Sequence, residues 1–412
     1  MFLAAGPYFA RRFHSNNRIL ANFQAAELSV STVASLGSML VLTKLQTSAS
    51  YPRRIFLSLL INIFTFSLLA IFTKAFLMMP AVTYFTFLIV MVFATSLATG
   101  LMQNGALAYV SGFGMPVYMQ AIMTGQGIAG VLPPIVQIIS VLSAPIANKV
   151  TAKEDTALES STSAMAYFIT ATGVSVLALL AFFYLAIHHR PQPTTAYINN
   201  SVAEAGDSDE DSVTRLHDVI TGSPKAVPMH YLANRLRYSA AAIFLTFAIT
   251  MLFPVITQRI LSTNPHPSAL FRQAAFVPLA FLVWNTGDLL GRIIPLSRRL
   301  SLIAHPKILL LCSILRVVFI PLYLLCNIQP IDPFPEASSV ALATVQSDAF
   351  YLLVVQFPFG LSNGYLSSCC MMGAGSFVNE EEREAAGGFM GLVLVAGLAV
   401  GSFCSFFASS GG

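Results

Sequence analysis

The sequence predicts an all-α membrane protein that crosses the bilayer many times. Of its 412 residues, 56% are hydrophobic and only 10% are charged, whereas a soluble domain has about 25% charged residues. The mean hydropathy is +0.72. Apolar stretches of about 20 residues, the length that crosses a bilayer as a helix, recur along most of the chain. Together these observations argue against a soluble domain.

We expect one partial span followed by ten full ones. The partial span lies at residues 1–13, MFLAAGPYFARRF, which are too few to cross a bilayer. Its arginines follow the apolar residues, unlike the charges of a cleavable signal peptide. The full spans are predicted at residues 21–45, 55–79, 82–111, 115–147, 163–187, 236–258, 271–295, 305–327, 346–374 and 385–410.

Residues 188–235 interrupt the apolar pattern. They are rich in serine, proline and acidic residues and contain few large apolar side chains, a composition that predicts a disordered loop. The predicted domains are therefore an N-terminal bundle at 1–187, this loop, and a C-terminal bundle at 236–412.

If the N-terminus and the loop are cytosolic, twelve of the 22 lysines and arginines face the cytosol and eight face the other side. This count weakly favours that orientation.

A polar stripe at residues 284–292, WNTGDLLGR, lies inside a predicted span. Asp288 and Arg292 are four residues apart and Asn285 precedes Asp288 by three, so all three share one helix face. Each charge costs about 2.5–3.5 kcal/mol near the centre of a membrane helix on insertion scales. We therefore expect the stripe to line a cavity or a substrate path. The alternative is a structural ion pair between helices.

Residues 103–134 combine many glycines with amides, including Gln103 and Asn104. Glycines let membrane helices approach closely, so helix packing explains most of them. Asn104 is the stronger candidate for ligand contact, because the adjacent glycine leaves room. Residues 363–401 repeat the glycine pattern and are assigned to helix packing.

Arg316 lies in the middle of its predicted span, whose other charged residue, Lys307, is near the start. Its side chain either extends to the membrane interface or pairs with an acid across the bundle. The sequence leaves both alternatives open.

Several classes of site are not expected. The five cysteines form no CxxC pair with histidine partners, and the seven histidines lie mostly in connecting segments. We therefore expect no metal site and no cofactor. No catalytic triad is present, so we expect no enzyme. No basic run interleaved with aromatic residues points to nucleic acid.

Five blocks of sequence resemble the equilibrative nucleoside transporter family, and most closely its fungal branch. In chain order they are GFGMPVYMQAIMTGQGIAGVLPP at 112–134, LFPVITQ at 252–258, WNTGDLLGR at 284–292, LRVVFIPLYLLCN at 315–327 and NGYLSSCCMMGAGSFVNEEEREAAGGFMGLVLVAGLAVG at 363–401. The resemblance implies a six-plus-five helix bundle like that of the major facilitator superfamily. It also implies a cytosolic N-terminus and central loop, and facilitative or proton-linked transport of nucleosides or nucleobases.

The resemblance assigns roles to the polar stripe. Asp288 and Arg292 match the family's acid and base in the eighth helix, which implies contacts with sugar hydroxyls and the base edge. Asn285 and Trp284 flank them and are candidate substrate contacts. If protons are coupled, Asp288 is the candidate carboxyl, since a buried carboxyl can have a raised pKa.

Two further matches lie nearer the N-terminus. Asn104 falls where the family's fourth helix has a ligand-binding amide, and Gln103 is the fallback. Residues 1–13 resemble the second half of the family's first helix, so we expect the first half, with its Pro-Trp-Asn, to be missing.

The implied substrates are nucleosides such as adenosine and uridine. The implied location is a vacuolar or other internal membrane, or the plasma membrane. One rival is a major-facilitator-like transporter of another small polar solute. A second is a truncated membrane protein that does not transport, although such a protein would not need the buried stripe.

Overall fold

The computed structural model describes residues 5–45, 50–76, 79–143, 155–188, 227–251, 253–264, 267–328 and 344–410, and these residues are helical almost throughout. Within them the one extended pairing is an isolated bridge between Ile260 and Ile328. Eight helices of this part are long and apolar enough to cross a membrane. The prediction of an all-α, multi-pass membrane protein is therefore confirmed.

The helices follow the predicted spans in order. They are α1 (Gly6–Arg12), α2 (Asn17–Lys44), α3 (Tyr51–Lys74), α4 (Ala81–Gly112), α5 (Pro116–Ser143), α6 (Asp155–His188), α7 (Met229–Arg235), α8 (Arg237–Thr250), α9 (Phe253–Thr257), α10 (Gln273–Ile293), α11 (Pro306–Leu315), α12 (Phe319–Leu324), α13 (Phe357–Ala374) and α14 (Arg383–Ser410). Short 3-10 turns lie at Ala269–Phe271, Ile294–Leu296, Arg316–Val318 and Glu380–Glu382, and a π-helical turn at Phe350–Gln356 leads into α13.

Three predicted spans are irregular in the structure. The span at 236–258 stops at Thr250 and resumes as α9, whose second residue, Pro254, has no backbone N–H to donate. The span at 305–327 passes through the 3-10 turn at Arg316–Val318, and the span at 346–374 begins with the π-helical turn. Hydropathy predicts the length of a span but does not report such local changes of helix type.

The loop prediction for residues 188–235 is wrong at its C-terminal end. Met229–Arg235 forms α7, and Leu232 on this helix is fully buried. The segment is too short to span a membrane, so hydropathy over about 20 residues does not detect it. The rest of the predicted loop, residues 189–226, lies outside the described residues.

Contacts divide the chain into two compact units. Unit 1 comprises Met1–Phe113 and Lys149–Pro228, and unit 2 comprises Gly114–Asn148 and Met229–Gly412. Helix α5 falls in unit 2 because it packs along α10, whereas the sequence analysis placed it in the N-terminal bundle. The two units group residues by contact, whereas the predicted domains are continuous ranges of the chain. The units therefore do not test the predicted domain boundaries, which stay a prediction.

Unit 1 is built around an aromatic core. Helix α3 packs against α4 and α6, and α2 packs against α4. The rings of Phe9, Phe13, Tyr84 and Phe168 are all fully buried, and their neighbouring centroids lie 6.0–6.5 Å apart. These contacts attach α1 to the rest of the unit.

The tightest helix contact described in unit 2 joins α10 and α13. Gly287 and Gly291 on α10 face Gly360 and Gly364 on α13, with a spacing of four residues on each helix. A Cβ atom added at any of the four would overlap a backbone carbonyl oxygen of the other helix. Because any side chain would force the two backbones apart, these positions require glycine.

We predict that Gly364→Ala destabilises unit 2. The added methyl would meet the Asp288 carbonyl oxygen, and overpacking of this kind costs about 1–3 kcal/mol. The Tm of the purified protein in detergent should therefore fall. Gly125→Ala on α5 is the matched control, because its added Cβ would have no atom within 4 Å. Equal Tm values for the two variants would contradict the prediction.

Candidate functional site

The acid and the base of the polar stripe form an ion pair inside unit 2. Arg292 Nε donates to Asp288 Oδ2 at 2.7 Å, one helical turn away on α10. Asp288 is 3% exposed and Arg292 is 6% exposed. Their other partners lie on α5 and α13, so the pair faces protein rather than lipid. An ion pair buried in an apolar span is stable only if its remaining polar atoms are also satisfied.

Asn363 on α13 satisfies the second carboxylate oxygen. Its Nδ2 donates to Asp288 Oδ1 at 2.7 Å, and its own Oδ1 accepts from Thr250 Oγ1 on α8 at 2.8 Å. Asn363 precedes Gly364, so the close approach of the two backbones brings the short amide within reach. Both carboxylate oxygens of Asp288 therefore have a protein donor.

The guanidinium of Arg292 is held by α5. Its Nη1 donates to the Met123 carbonyl oxygen at 2.9 Å and to Gln126 Oε1 at 3.2 Å. The Gln120 amide donates back to the Arg292 carbonyl oxygen. The bond to Asp288 uses Nε of the guanidinium, and the bonds to Met123 and Gln126 use Nη1. None of these bonds uses Nη2.

Arg316 extends this polar network to the 3-10 turn after α11. Its Nη2 donates to Thr250 Oγ1 at 2.9 Å, and its guanidinium carbon lies 4.5 Å from the centre of the Phe359 ring. The side chain is 2% exposed. It makes no ion pair with any carboxylate of the described residues. The structure therefore shows neither of the two arrangements that the sequence left open.

Trp284 and Asn285 lie one turn before the ion pair on α10, and both are half-buried. The Trp284 ring stacks on Phe253, with centroids 4.8 Å apart and planes at 19°. Its Nε1 is buried without a hydrogen-bond partner in the described part of the chain. Asn285 Nδ2 donates to the Phe281 carbonyl oxygen at 2.8 Å, and its Oδ1 lies against Gly130 of α5. The indole N–H is thus the unused donor of this group.

Asn104 and Gln103 lie on α4 in unit 1. Asn104 is buried, and its Oδ1 accepts from Arg54 Nη1 while its Nδ2 is 3.5 Å from Thr43 Oγ1. These contacts tie α4 to α3 and α2. Gln103 is half-buried. Roles in substrate binding for these two residues stay predictions.

The structure buries polar residues that were not predicted from the sequence, among them Thr250, Asn363 and Glu27. Thr250 and Asn363 complete the network around Asp288, although the block containing Asn363 had been assigned to helix packing. Glu27 on α2 is 4% exposed, and its Oε1 has no hydrogen-bond partner among the described residues. The available signal was a polar side chain inside an apolar span, which marks a candidate functional residue by default.

In the described part of the chain, no three histidine, cysteine, aspartate or glutamate residues are grouped so that they could hold a metal ion. The five cysteines form no disulfide there.

Comparison with known proteins gives consistent matches. A family model described as "Nucleoside transporter" matches residues 88–410. The chain is 28% identical to the nucleoside transporter FUN26 of Saccharomyces cerevisiae, over 98% of this chain and 80% of that protein. It is 27% identical to equilibrative nucleoside transporter 1 of Rattus norvegicus, over 92% of this chain and 81% of that protein.

A solved structure shares the fold. The major facilitator superfamily transporter FucP, crystallised in its outward conformation, superposes with a TM-score of 0.54 and 12% identity. The match covers 99% of this chain and 91% of FucP. It confirms the predicted major-facilitator-like bundle.

We predict that Asn363→Leu lowers the free energy of unfolding by about 1–3 kcal/mol, because it leaves Asp288 Oδ1 without its donor. Thr250→Val should also destabilise the protein. The double variant should lose less than the sum of the two, since the residues belong to one network. Thermal unfolding of the purified variants measures this. Ser362→Ala is the control, because its hydroxyl bonds only within α13. Additive losses would contradict the network.

Proposed function

The chain belongs to the nucleoside transporter family, and from that premise we propose that it moves nucleosides across a membrane by alternating access. It is a multi-pass membrane protein with a transporter fold and not an enzyme. The observation that carries the proposal is the buried pair of Asp288 and Arg292. It lies inside a spanning helix and within the residues that match the family model.

The chemistry of the pair suits a nucleoside, which has hydroxyl groups and an aromatic base but no net charge. A carboxylate accepts hydrogen bonds from sugar hydroxyls, and a guanidinium donates in a fixed fork to oxygen or ring nitrogen acceptors. Arg292 Nη2 lies outside the protein's own hydrogen bonds described above. We therefore propose that this nitrogen makes the first contact with substrate.

We propose that substrate binds at Asp288 by an exchange of hydrogen-bond partners. Both carboxylate oxygens accept bonds from protein donors, Asn363 and Arg292. A sugar hydroxyl can replace the Asn363 amide as the donor, so that Asp288 Oδ1 keeps a hydrogen bond. We propose that this exchange permits substrate to bind and to leave, since neither state keeps an unsatisfied buried carboxylate.

The remaining contacts are proposed from position. Trp284 offers the indole N–H that lacks a partner among the described residues and an aromatic surface stacked on Phe253. Asn285 lies on the same face of α10. Asn104, with Gln103 as its fallback, is proposed as the contact with the base edge, and the support for it is the family resemblance of α4.

We propose adenosine and uridine as substrates and a vacuolar or other internal membrane, or the plasma membrane, as the location. Residues 1–187 and 236–412 are proposed to be the two halves that rock.

A proton is the candidate coupling ion, with Asp288 as its carboxyl. An imposed pH gradient across proteoliposomes should accelerate uridine uptake if coupling exists, and an unchanged rate assigns facilitative transport.

We predict that Asp288→Asn reduces uptake of adenosine and uridine by more than about tenfold while the protein still reaches the membrane. The amide cannot accept on both atoms, and it leaves Arg292 without its counter-charge. Uptake of labelled nucleoside, normalised to protein in the membrane fraction, measures the effect. Asp348→Asn is the control, because Asp348 binds Ser262 and Thr263 away from the pair. Normal uptake by Asp288→Asn would refute the assignment, and competition by other small solutes tests the rival substrate class.

We predict that Arg292→Lys also lowers uptake, by about tenfold or more, although the positive charge is kept. An ammonium group cannot keep the bond to Asp288 and offer a second, fixed donor to the substrate. Uptake at several uridine concentrations separates weaker binding from slower transport. The control is Arg299→Lys at an exposed site in the same unit. Equal uptake by the two variants would show that transport does not need the guanidinium and would contradict its proposed contact with substrate.

A further inference from the structure

Unit 2 contains a cavity that is separate from the buried ion pair. It has a volume of about 460 Å³ and lies where the start of α8, the start of α11 and the segment after α13 meet. Its wall includes Arg235, Tyr238, His305, Lys307, Ile308 and Phe377. The size lies within the range of small-ligand sites, about 300–1,000 Å³. No residue of its wall carries a carboxylate.

The cations of the wall are held in place by their neighbours. Arg235 Nε donates to the Phe377 carbonyl oxygen at 2.8 Å, a bond that does not use the two terminal nitrogens of the guanidinium. Lys307 Nζ lies 5.6 Å from the centre of the Tyr238 ring, and the Arg237 guanidinium lies 4.8 Å from the same ring. Cation–π contacts of this kind restrict the position of a long cationic side chain.

Two of the acidic residues that follow Phe377 along the chain already have partners. Glu380 forms an ion pair with Arg383 at 3.3 Å, and Glu382 accepts from the Asn379 backbone in a capping box. The start of α11 adds the positive end of its helix dipole at Pro306. The electrostatic potential in the cavity therefore favours an anion.

The cavity lies at the more basic end of unit 2. Six basic residues lie at this end, in the connections between α7 and α8, α10 and α11, and α13 and α14 or at the helix ends beside them: Arg235, Arg237, Arg298, Arg299, Lys307 and Arg383. At the opposite end the described residues include Arg259 and Arg272. Lysine and arginine concentrate on the cytosolic side of membrane proteins. This distribution places the cavity at the cytosolic membrane surface.

An exposed apolar stripe continues from the cavity along α11. Ile308 is part of the cavity wall and is 44% exposed, while Leu311 and Leu315 are each 56% exposed. Positions three and seven residues on from Ile308 lie on the same face of the helix. A ligand with its phosphate in the cavity can therefore lay an acyl chain along this stripe.

We propose that this basic cavity binds the phosphate headgroup of an anionic phospholipid of the cytosolic leaflet, with an acyl chain on the α11 stripe. Phosphate oxygens match the donors of Arg235 and Lys307. Basic pockets between membrane helices on the cytosolic side are suited to such headgroups. A soluble phosphate compound has the same phosphate group but no acyl chain to contact the stripe.

The test measures lipid retention by native mass spectrometry of the full chain, purified with equal amounts of phosphatidylserine and phosphatidylcholine. We expect phosphatidylserine to be retained over phosphatidylcholine by about tenfold. The double variant Arg235→Gln with Lys307→Gln should lose this preference. Arg298→Gln with Arg299→Gln removes the same charge from exposed sites outside the cavity wall and should keep it.

A second arm separates the two sources of phosphate. Inorganic phosphate and glycerophosphoserine, which lack acyl chains, should not displace the bound lipid at about tenfold excess. Displacement by either compound would assign the cavity to soluble phosphate and overturn the lipid proposal. Equal retention of the two lipids by the unsubstituted protein would overturn it as well. So would equal loss of preference in the two double variants, since that result indicates general surface charge.

Discussion

The close contact between the α10 and α13 backbones is the constraint on which the candidate site depends. Four glycines line this contact, and a side chain at any of them would force the helices apart: Gly287, Gly291, Gly360 and Gly364. The short amide of Asn363 can therefore reach Asp288, which a wider separation would prevent. Without that donor, one oxygen of a buried carboxylate would be unsatisfied in an apolar environment, at a cost that few folds tolerate. Helix packing thus determines which donors surround Asp288.

The polar groups around the ion pair form a connected network rather than a set of independent contacts. Hydrogen bonds lead from Arg316 through Thr250 and Asn363 to Asp288, and from there to Arg292 and α5. Removal of one member leaves its neighbour unsatisfied, whereas replacement of one donor by a substrate hydroxyl keeps the number of hydrogen bonds to Asp288 constant. We propose that such a network holds the charges inside the membrane and also lets one donor be replaced by a substrate hydroxyl.

Charge acts differently at the two depths of unit 2. The buried pair has nearly zero net charge, as an uncharged substrate requires. The cavity at the cytosolic end has cations with no carboxylate in its wall, as an anionic headgroup requires. The two sites use different helices apart from α8, which carries Thr250 at one end and Tyr238 at the other.

The sequence by itself determined the membrane class, most of the spans and the shared face of Asp288 and Arg292. Hydropathy over about 20 residues and the 3.6-residue period are local properties, so a single segment contains all the information they need. The family also followed from sequence, because its blocks occur in order along the chain.

Only the tertiary structure decided which side chains satisfy the pair. Asn363 and Met123 are separated from the pair by 75 and 169 positions, and no local pattern brings them together. The structure also revealed α7, which is too short for a hydropathy signal, and the partner of Arg316, which turned out to be a hydroxyl. In each case the deciding interaction joins distant parts of the chain, and its geometry exists only once the helices have packed.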